Sequence, residues 1–187
     1  YFSGRYAIIG ENDIATLFPE LLKEWDYEKN DQLGIKPQNV KKNTDKKVWW
    51  KCEKGHEYKS SIVNRTKSKG TCCPYCSGNK VLKGFNDIAS TNPELLKEWD
   101  YSKNTIKPDE VTKGTHKKIW WICSNNHSYE ATIPARRRGT GCPYCSGNKI
   151  LVGFNDLATT NPELLEKWNY EKNNKLGITP KSISKSY

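Results

Sequence analysis

Residues 73–80 read Cys-Pro-Tyr-Cys-Ser-Gly-Asn-Lys, and residues 142–149 repeat them letter for letter. Upstream of each copy stands a Cys-x3-His pair, Cys52 with His56 and Cys123 with His127. Three thiols and one imidazole are the soft donors that a closed tetrahedral Zn²⁺ site takes. The spacing therefore predicts two sites: Cys52, His56, Cys73 and Cys76, then Cys123, His127, Cys142 and Cys145. Four protein ligands leave no position for water, so both zinc ions are expected to be structural and not catalytic. The competing reading, free or disulfide-linked thiols, does not explain why the same four-ligand spacing occurs twice. The seventh cysteine, Cys72, aligns with Gly141 and is expected to be a spare thiol. An odd cysteine count with CxxC pairs in a lysine-rich chain favours a reducing compartment, the cytoplasm.

The segments around these residues must turn tightly and then run straight. A zinc knuckle needs a residue that tolerates positive φ beside its ligands. Gly55 and Asn126 precede the two histidines, and Gly78 and Gly147 follow the CxxC pairs. Pro74 and Pro143 fix φ inside the turns. Val48-Trp49-Trp50-Lys51-Cys52 and Ile119-Trp120-Trp121-Ile122-Cys123 are rich in β-formers and predict strands. Alternation places Trp50 and Trp121 on the face of the metal-bound cysteine, over the zinc core. Trp49 and Trp120 then face the other way and are expected to pack against the repeat's own helix. Alternating Tyr58, Ser60 and Ile62, and Tyr129, Ala131 and Ile133, predict the second strands. Each leads into a basic loop; the first loop is two residues longer, through Ser68 and Lys69.

These pieces belong to a unit of about 70 residues. Asn12-Asp13-Ile14-Ala15 returns at 86–89 and, with Leu157 for the isoleucine, at 155–158. Pro-Glu-Leu-Leu-Lys-Glu-Trp at 19–25 returns at 93–99 and, with its Lys and Glu exchanged, at 162–168. The Pro-Glu-Leu-Leu segment predicts a short helix, with Pro93 and Pro162 at its first position and Asn92 and Asn161 as caps. Trp25, Trp99 and Trp168 are expected in the core. The fold class expected is small α+β modules in tandem, each a zinc-held β-hairpin plus a short helix. Residues 1–11 are expected to end a preceding module or linker, 12–80 and 81–149 to form modules 1 and 2, and 150–187 to be the N-terminal half of a third, truncated module.

Hydrophobic residues make up only 35% of the chain, thin for one large core but suited to small metal-pinned modules. No long apolar run marks a membrane span. The formal net charge is +10, and it is uneven: residues 36–80 carry +9 and residues 107–149 carry +5, so the rest is net acidic. A cationic zinc module points to a polyanionic partner. The candidate contacts are Arg65, Lys67 and Lys69 in the first basic loop, Arg136, Arg137 and Arg138 in the second, and Lys46, Lys47, Lys117 and Lys118 before the Trp pairs. Arg65 and Arg136 are equivalent and are expected to lead, since arginine's planar fork suits phosphate or a guanine edge. His116, without ligand-like neighbours, is expected at the surface.

The ordered string Asn-Asp-Ile-Ala, Pro-Glu-Leu-Leu-Lys-Glu-Trp, Lys-Asn, Trp-Trp-x-Cys-x3-His and Cys-Pro-Tyr-Cys resembles the bacterial "probable zinc-ribbon" repeat, a treble-clef-like finger. The resemblance covers nearly the whole chain. It implies zinc-ribbon or treble-clef modules with the eight ligands named above. It also implies a DNA-recognition array, the targeting part of a larger nuclease or of a mobile-element, defence or repair protein. With both motif histidines committed to metal, no catalysis is expected in this stretch. Double-stranded DNA is the partner expected first. A protein-interaction scaffold is the main alternative, with RNA or single-stranded DNA behind it. No membrane or small-molecule substrate is expected.

Overall fold

The computed structural model describes residues 6–67 and 73–184 and resolves two compact units, Tyr1–Leu82 and Lys83–Tyr187. Lys69 and Cys72 lie outside the described residues. No helix among the described residues is long and apolar enough to cross a membrane.

In the first unit the chain enters through α1 (Ile14–Leu17), capped by Asp13. The Asp13 carboxylate is fully buried and accepts from the N–H of Gly10 at 2.7 Å, the N–H of Thr16 at 2.9 Å and the Thr16 hydroxyl at 2.8 Å. Burial works against its charge, but the Thr16 hydroxyl and the backbone donors outweigh it and hold the pKa below the ordinary value. A turn of 3₁₀ helix follows at Pro19–Glu24, then α2 (Tyr27–Gln32), capped by Asp26. Next, β1 (Lys47–Lys51) pairs antiparallel with β2 (Glu57–Ser61), Trp49 opposite Lys59, and α3 (Ile62–Lys67) leaves the hairpin directly.

The predicted hairpin is therefore present, with its alternation: Val48 and Trp50 are fully buried while Lys47 and Lys51 are exposed. Trp50 donates its indole N–H to the carbonyl of Ser60 at 3.1 Å. Trp25, at the end of the 3₁₀ turn, meets Trp50 edge-on at 5.4 Å between ring centres. Around this pair lie Ile14, Ile35, Val40, Val48, Tyr58 and Ile62. Asn30 of α2 clamps the outer edge of β1: it accepts from the Trp49 N–H at 2.9 Å and donates to the Trp49 carbonyl at 2.8 Å. A buried side-chain amide thus takes the place of a third strand.

The second unit repeats this plan. Asp87 caps α4 (Ile88–Thr91), β3 (Lys118–Ile122) pairs with β4 (Ser128–Thr132), and α5 (Ile133–Arg137) follows. Trp99 meets Trp121 edge-on at 5.3 Å, and Asn104 clamps Trp120 as Asn30 clamps Trp49. The same unit includes the third copy of the repeat, with α6 (Leu157–Thr160) capped by Asp156, and α7 (Tyr170–Lys175). Its Asn155 donates to the carbonyls of Tyr144 and Lys149, both at 2.8 Å, fastening the third copy to the second CxxC turn.

The Pro-Glu-Leu-Leu segments form the short helices expected, with 3₁₀ geometry and i→i−3 bonds such as Trp99 N–H to Leu96 C=O at 3.2 Å. One expectation needs correction. Asn92 and Asn161 do not cap them; their amides donate to Glu94 and Glu163 instead. Phe18 has nearly the same backbone angles as Asn92 and Asn161. The position is set by backbone geometry, which is why phenylalanine serves there as well.

The aspartate caps make a testable contribution. Asp87→Ala should cost about 1 kcal/mol or somewhat more, read as a lower thermal midpoint of the zinc-saturated protein. Because the folded-state pKa of Asp87 is depressed, its stabilisation is complete above the unfolded value of about 3.9 and is lost only as pH falls past it. The penalty should therefore be flat between about pH 6 and 8; a penalty that changes across that range contradicts the assignment.

Candidate metal centre

The hairpin brings the first two ligands of each set together. Cys52 follows β1, His56 precedes β2, and Gly55 between them has φ +79°. The Gly55 N–H donates to the Cys52 carbonyl at 2.8 Å and the Cys52 N–H to the His56 carbonyl at 3.1 Å. In the second unit Asn126 takes the same turn at φ 60° with the same two bonds at 2.8 and 3.1 Å. The other two ligands come from the CxxC turn, closed by Ser77 N–H to Cys73 C=O at 3.0 Å and by Gly78, φ +78°. Ser146 and Gly147 repeat this at 3.1 Å and φ +73°.

In each unit the four ligand atoms lie within 4.8 Å of one another. Zn–S bonds of about 2.3 Å and a Zn–N bond of about 2.0 Å in a tetrahedron demand S···S near ~3.8 Å and S···N near ~3.5 Å. Cys52 and Cys76 are 3.9 Å apart, Cys123 and Cys145 3.8 Å. The His56 Nδ1 stands 3.5, 3.3 and 3.6 Å from Cys52, Cys76 and Cys73. His127 Nδ1 stands 3.3 and 3.8 Å from Cys145 and Cys142. These edges match zinc bound through Nδ1 and are far too long for a disulfide. Both tetrads are zinc sites.

The thiols of each set are not electrostatically equivalent. Burial opposes ionisation of Cys52, but backbone donors at His56 and Lys54 and the neighbouring thiols bring its pKa below the ordinary value. Burial and the same neighbours push Cys76 up to about 11. Cys123 is likewise lowered, and burial raises Cys142. One thiol in each set ionises readily and a neighbour resists; Zn²⁺ removes that conflict. Cys73 and Cys142 are buried, Cys76 and Cys145 exposed, so each site sits at the edge of its module. Asn125 donates to the Cys145 sulfur at 3.3 Å, and Phe154 from the third copy meets the His127 ring at 4.1 Å.

The residues expected to meet nucleic acid divide into two groups. Arg65 and Arg136 are not at the tips of basic loops, because those segments form α3 and α5. The Arg65 side chain is 4% exposed, pairs with Glu24 at 2.9 Å and lies over Trp50 at 5.0 Å. Tyr58 donates to the same Glu24 at 3.2 Å. The Arg136 side chain is 8% exposed, pairs with Glu98, donates to the Thr140 carbonyl and lies over Trp121 at 5.5 Å. Both guanidiniums are internal ties between the helix and the 3₁₀ turn of their own repeat, so the expectation that they lead phosphate contact is corrected. Burial raises the Tyr58 pKa well above its ordinary value and that of Tyr129 to about 12. Lys46, Lys47, Lys67, Lys117, Lys118, Arg137 and Arg138 are exposed, and among the described residues none is in an ion pair.

Trp49 and Trp120 alternate with the buried Trp50 and Trp121 along their strands. They lie half-buried on the outer hairpin face, Trp49 near the ammonium groups of Lys29 and Lys59 at 4.5 and 4.8 Å, Trp120 near Lys103 at 4.4 Å. Sequence reasoning gave no role to Asp13, Asp87 and Asp156, or to Asn30 and Asn104. Their only sequence signal was recurrence in the Asn-Asp and Lys-Asn pairs.

A short hairpin and a CxxC turn, closed on one ion, define a small structural zinc-finger module, and here it occurs in tandem. Residues 21–79 and 95–148, more than half of the chain, match the family described as "Probable Treble clef zinc finger domain". The chain belongs to that family. No curated protein matches it.

The two sites should respond separately. Cys142→Ser should lower zinc content by about one ion per chain and unfold the second hairpin, while Trp50 of the first stays protected. Metal supplies on the order of 10 kcal/mol per site in such modules, so chelation should unfold both hairpins. Zinc content unchanged by Cys142→Ser contradicts the ligand assignment.

Proposed function

We propose that the chain is a nucleic-acid-binding array and that double-stranded DNA is its target. The observation that carries this reading is the set of exposed cations on each zinc module that, among the described residues, are in no ion pair. In the first module Lys46 precedes β1, Lys47 opens it and Lys67 ends α3. The two segments are held together: Ile62 N–H donates to Lys46 C=O at 3.1 Å and the Thr66 hydroxyl to Lys42 C=O at 2.9 Å. In the second module Lys117 and Lys118 occupy the strand entry, and Arg137 and Arg138 the end of α5. Such groups neutralise phosphates and fix position on a polyanion without reading sequence.

The zinc supports this face indirectly, by fixing the hairpin whose two ends carry the cations. Resemblance supports a larger role as the targeting part of a nuclease, mobile-element or defence protein, with chemistry supplied elsewhere. The protein-scaffold reading draws on Leu164 and Leu176, 44% and 71% exposed on the third copy.

Anisotropy of a labelled random duplex, titrated at rising salt, distinguishes these readings. Affinity should fall steeply, with a log–log slope of about −0.9 per phosphate contact. Arg137→Gln with Arg138→Gln should make the slope shallower by about 1 to 2. A flat salt dependence, or an unchanged slope in that variant, contradicts the DNA reading.

A further inference from the structure

The two zinc modules differ in the segment that follows the clamping asparagine, and in the second a cavity lies beside it. Four residues separate Asn30 from Ile35, but one residue, Thr105, separates Asn104 from Ile106. The first module spends the longer segment on the end of α2 and its exit turn. In the second, a cavity of about 280 Å³ borders the shortened segment, lined by Lys103, Asn104, Thr105, Ile106, Lys117, Lys118, Ile119 and Trp120.

Three of the lining residues are cationic, and among the described residues none of the three is in an ion pair. The counterpart of Lys103 is Lys29, which pairs with Glu57. Ser128 stands at the Glu57 position, so Lys103 donates instead to a hydroxyl at 2.9 Å. Asp100 lies one hydrogen bond further on, already occupied by Ser102, the Lys103 N–H and Ser128. Glu130, opposite Trp120 in the sheet, does not line the cavity. Trp120, half-buried, contributes its ring with the Lys103 ammonium 4.4 Å from the ring centre, and its backbone is locked by both ends of the Asn104 amide.

We infer that module 2 carries a pocket for one unstacked nucleotide, its phosphate held by Lys103, Lys117 and Lys118 and its base laid against Trp120. Base stacking on an aromatic residue beside cations is how single-stranded nucleic acid is held without sequence readout. The pocket rests on the nucleic-acid reading through Lys117 and Lys118, but adds a ligand that duplex binding does not require. Its source is either an unpaired stretch of nucleic acid or a free nucleotide.

The zinc-loaded full chain, labelled with ¹⁵N, provides the test. The Trp120 indole signal is assigned by its loss in Trp120→Phe, then followed with thymidine 5′-monophosphate, thymidine, inorganic phosphate and a short single-stranded oligothymidylate. The monophosphate should shift the signal, and thymidine or phosphate alone should need about tenfold more to do so. Lys103→Gln should weaken the monophosphate about tenfold, while Lys29→Gln leaves it unchanged. Oligothymidylate binding more tightly than the monophosphate identifies nucleic acid as the source; equal affinity identifies the free nucleotide. No shift with either, or phosphate as effective as the monophosphate, overturns the pocket. If that happens while duplex binding keeps its salt dependence, only this inference fails; a flat duplex titration with the indole shift intact defeats the duplex reading alone.

Discussion

Three thiols drawn within 4.8 Å of one another and of an imidazole repel one another as thiolates, and a soft cation bound by all four groups makes that arrangement favourable. Everything else in each module follows from meeting that constraint. The knuckle needs positive φ, so Gly55 or Asn126 stands before the histidine. A Cys-x3-His loop across a hairpin fixes the register that buries Trp50 and Trp121. Among the described residues each core cluster has nine buried residues, one of them a zinc-ligand cysteine. A core that small does not hold a fold of about 70 residues without a cross-link; the metal is that cross-link.

The second layer of support is electrostatic and internal. Glu24 and Glu98 end the 3₁₀ turns, and the guanidiniums of Arg65 and Arg136 reach them across the inner tryptophans. Breaking such a tie would leave a nearly buried charge alone, which costs more than the pair contributes over an apolar substitute. The positive charge of the modules is thus divided. Part of it is spent on holding the helix against the turn, and the exposed lysines and arginines beside it are left for a partner.

The metal ligands, the knuckle residues and the hairpin alternation were legible because each is a local rule: spacing, φ tolerance, period two. The arginines were not, because their partners stand about 40 residues earlier in the chain and the sequence shows a cation without showing what it faces. The amide clamps of Asn30 and Asn104 escaped for the same reason: a buried asparagine in a Lys-Asn pair looks like a surface turn until the strand edge beside it is known. The Pro-Glu-Leu-Leu helices were legible, but their 3₁₀ geometry was not, because proline and leucine suit the first turn of either kind of helix. The cavity beside Trp120 was not legible because its lining comes from two segments more than ten residues apart, which the sequence does not bring together.

The central claim is that each module is closed by one zinc ion on three cysteines and one histidine. X-ray absorption at the zinc edge of the intact protein, with metal content measured on the same sample, tests it directly. The account predicts two zinc ions per chain, each with three sulfurs at about 2.3 Å and one nitrogen at about 2.0 Å. Fewer than two ions, or an oxygen in place of the histidine nitrogen or a sulfur, would contradict it.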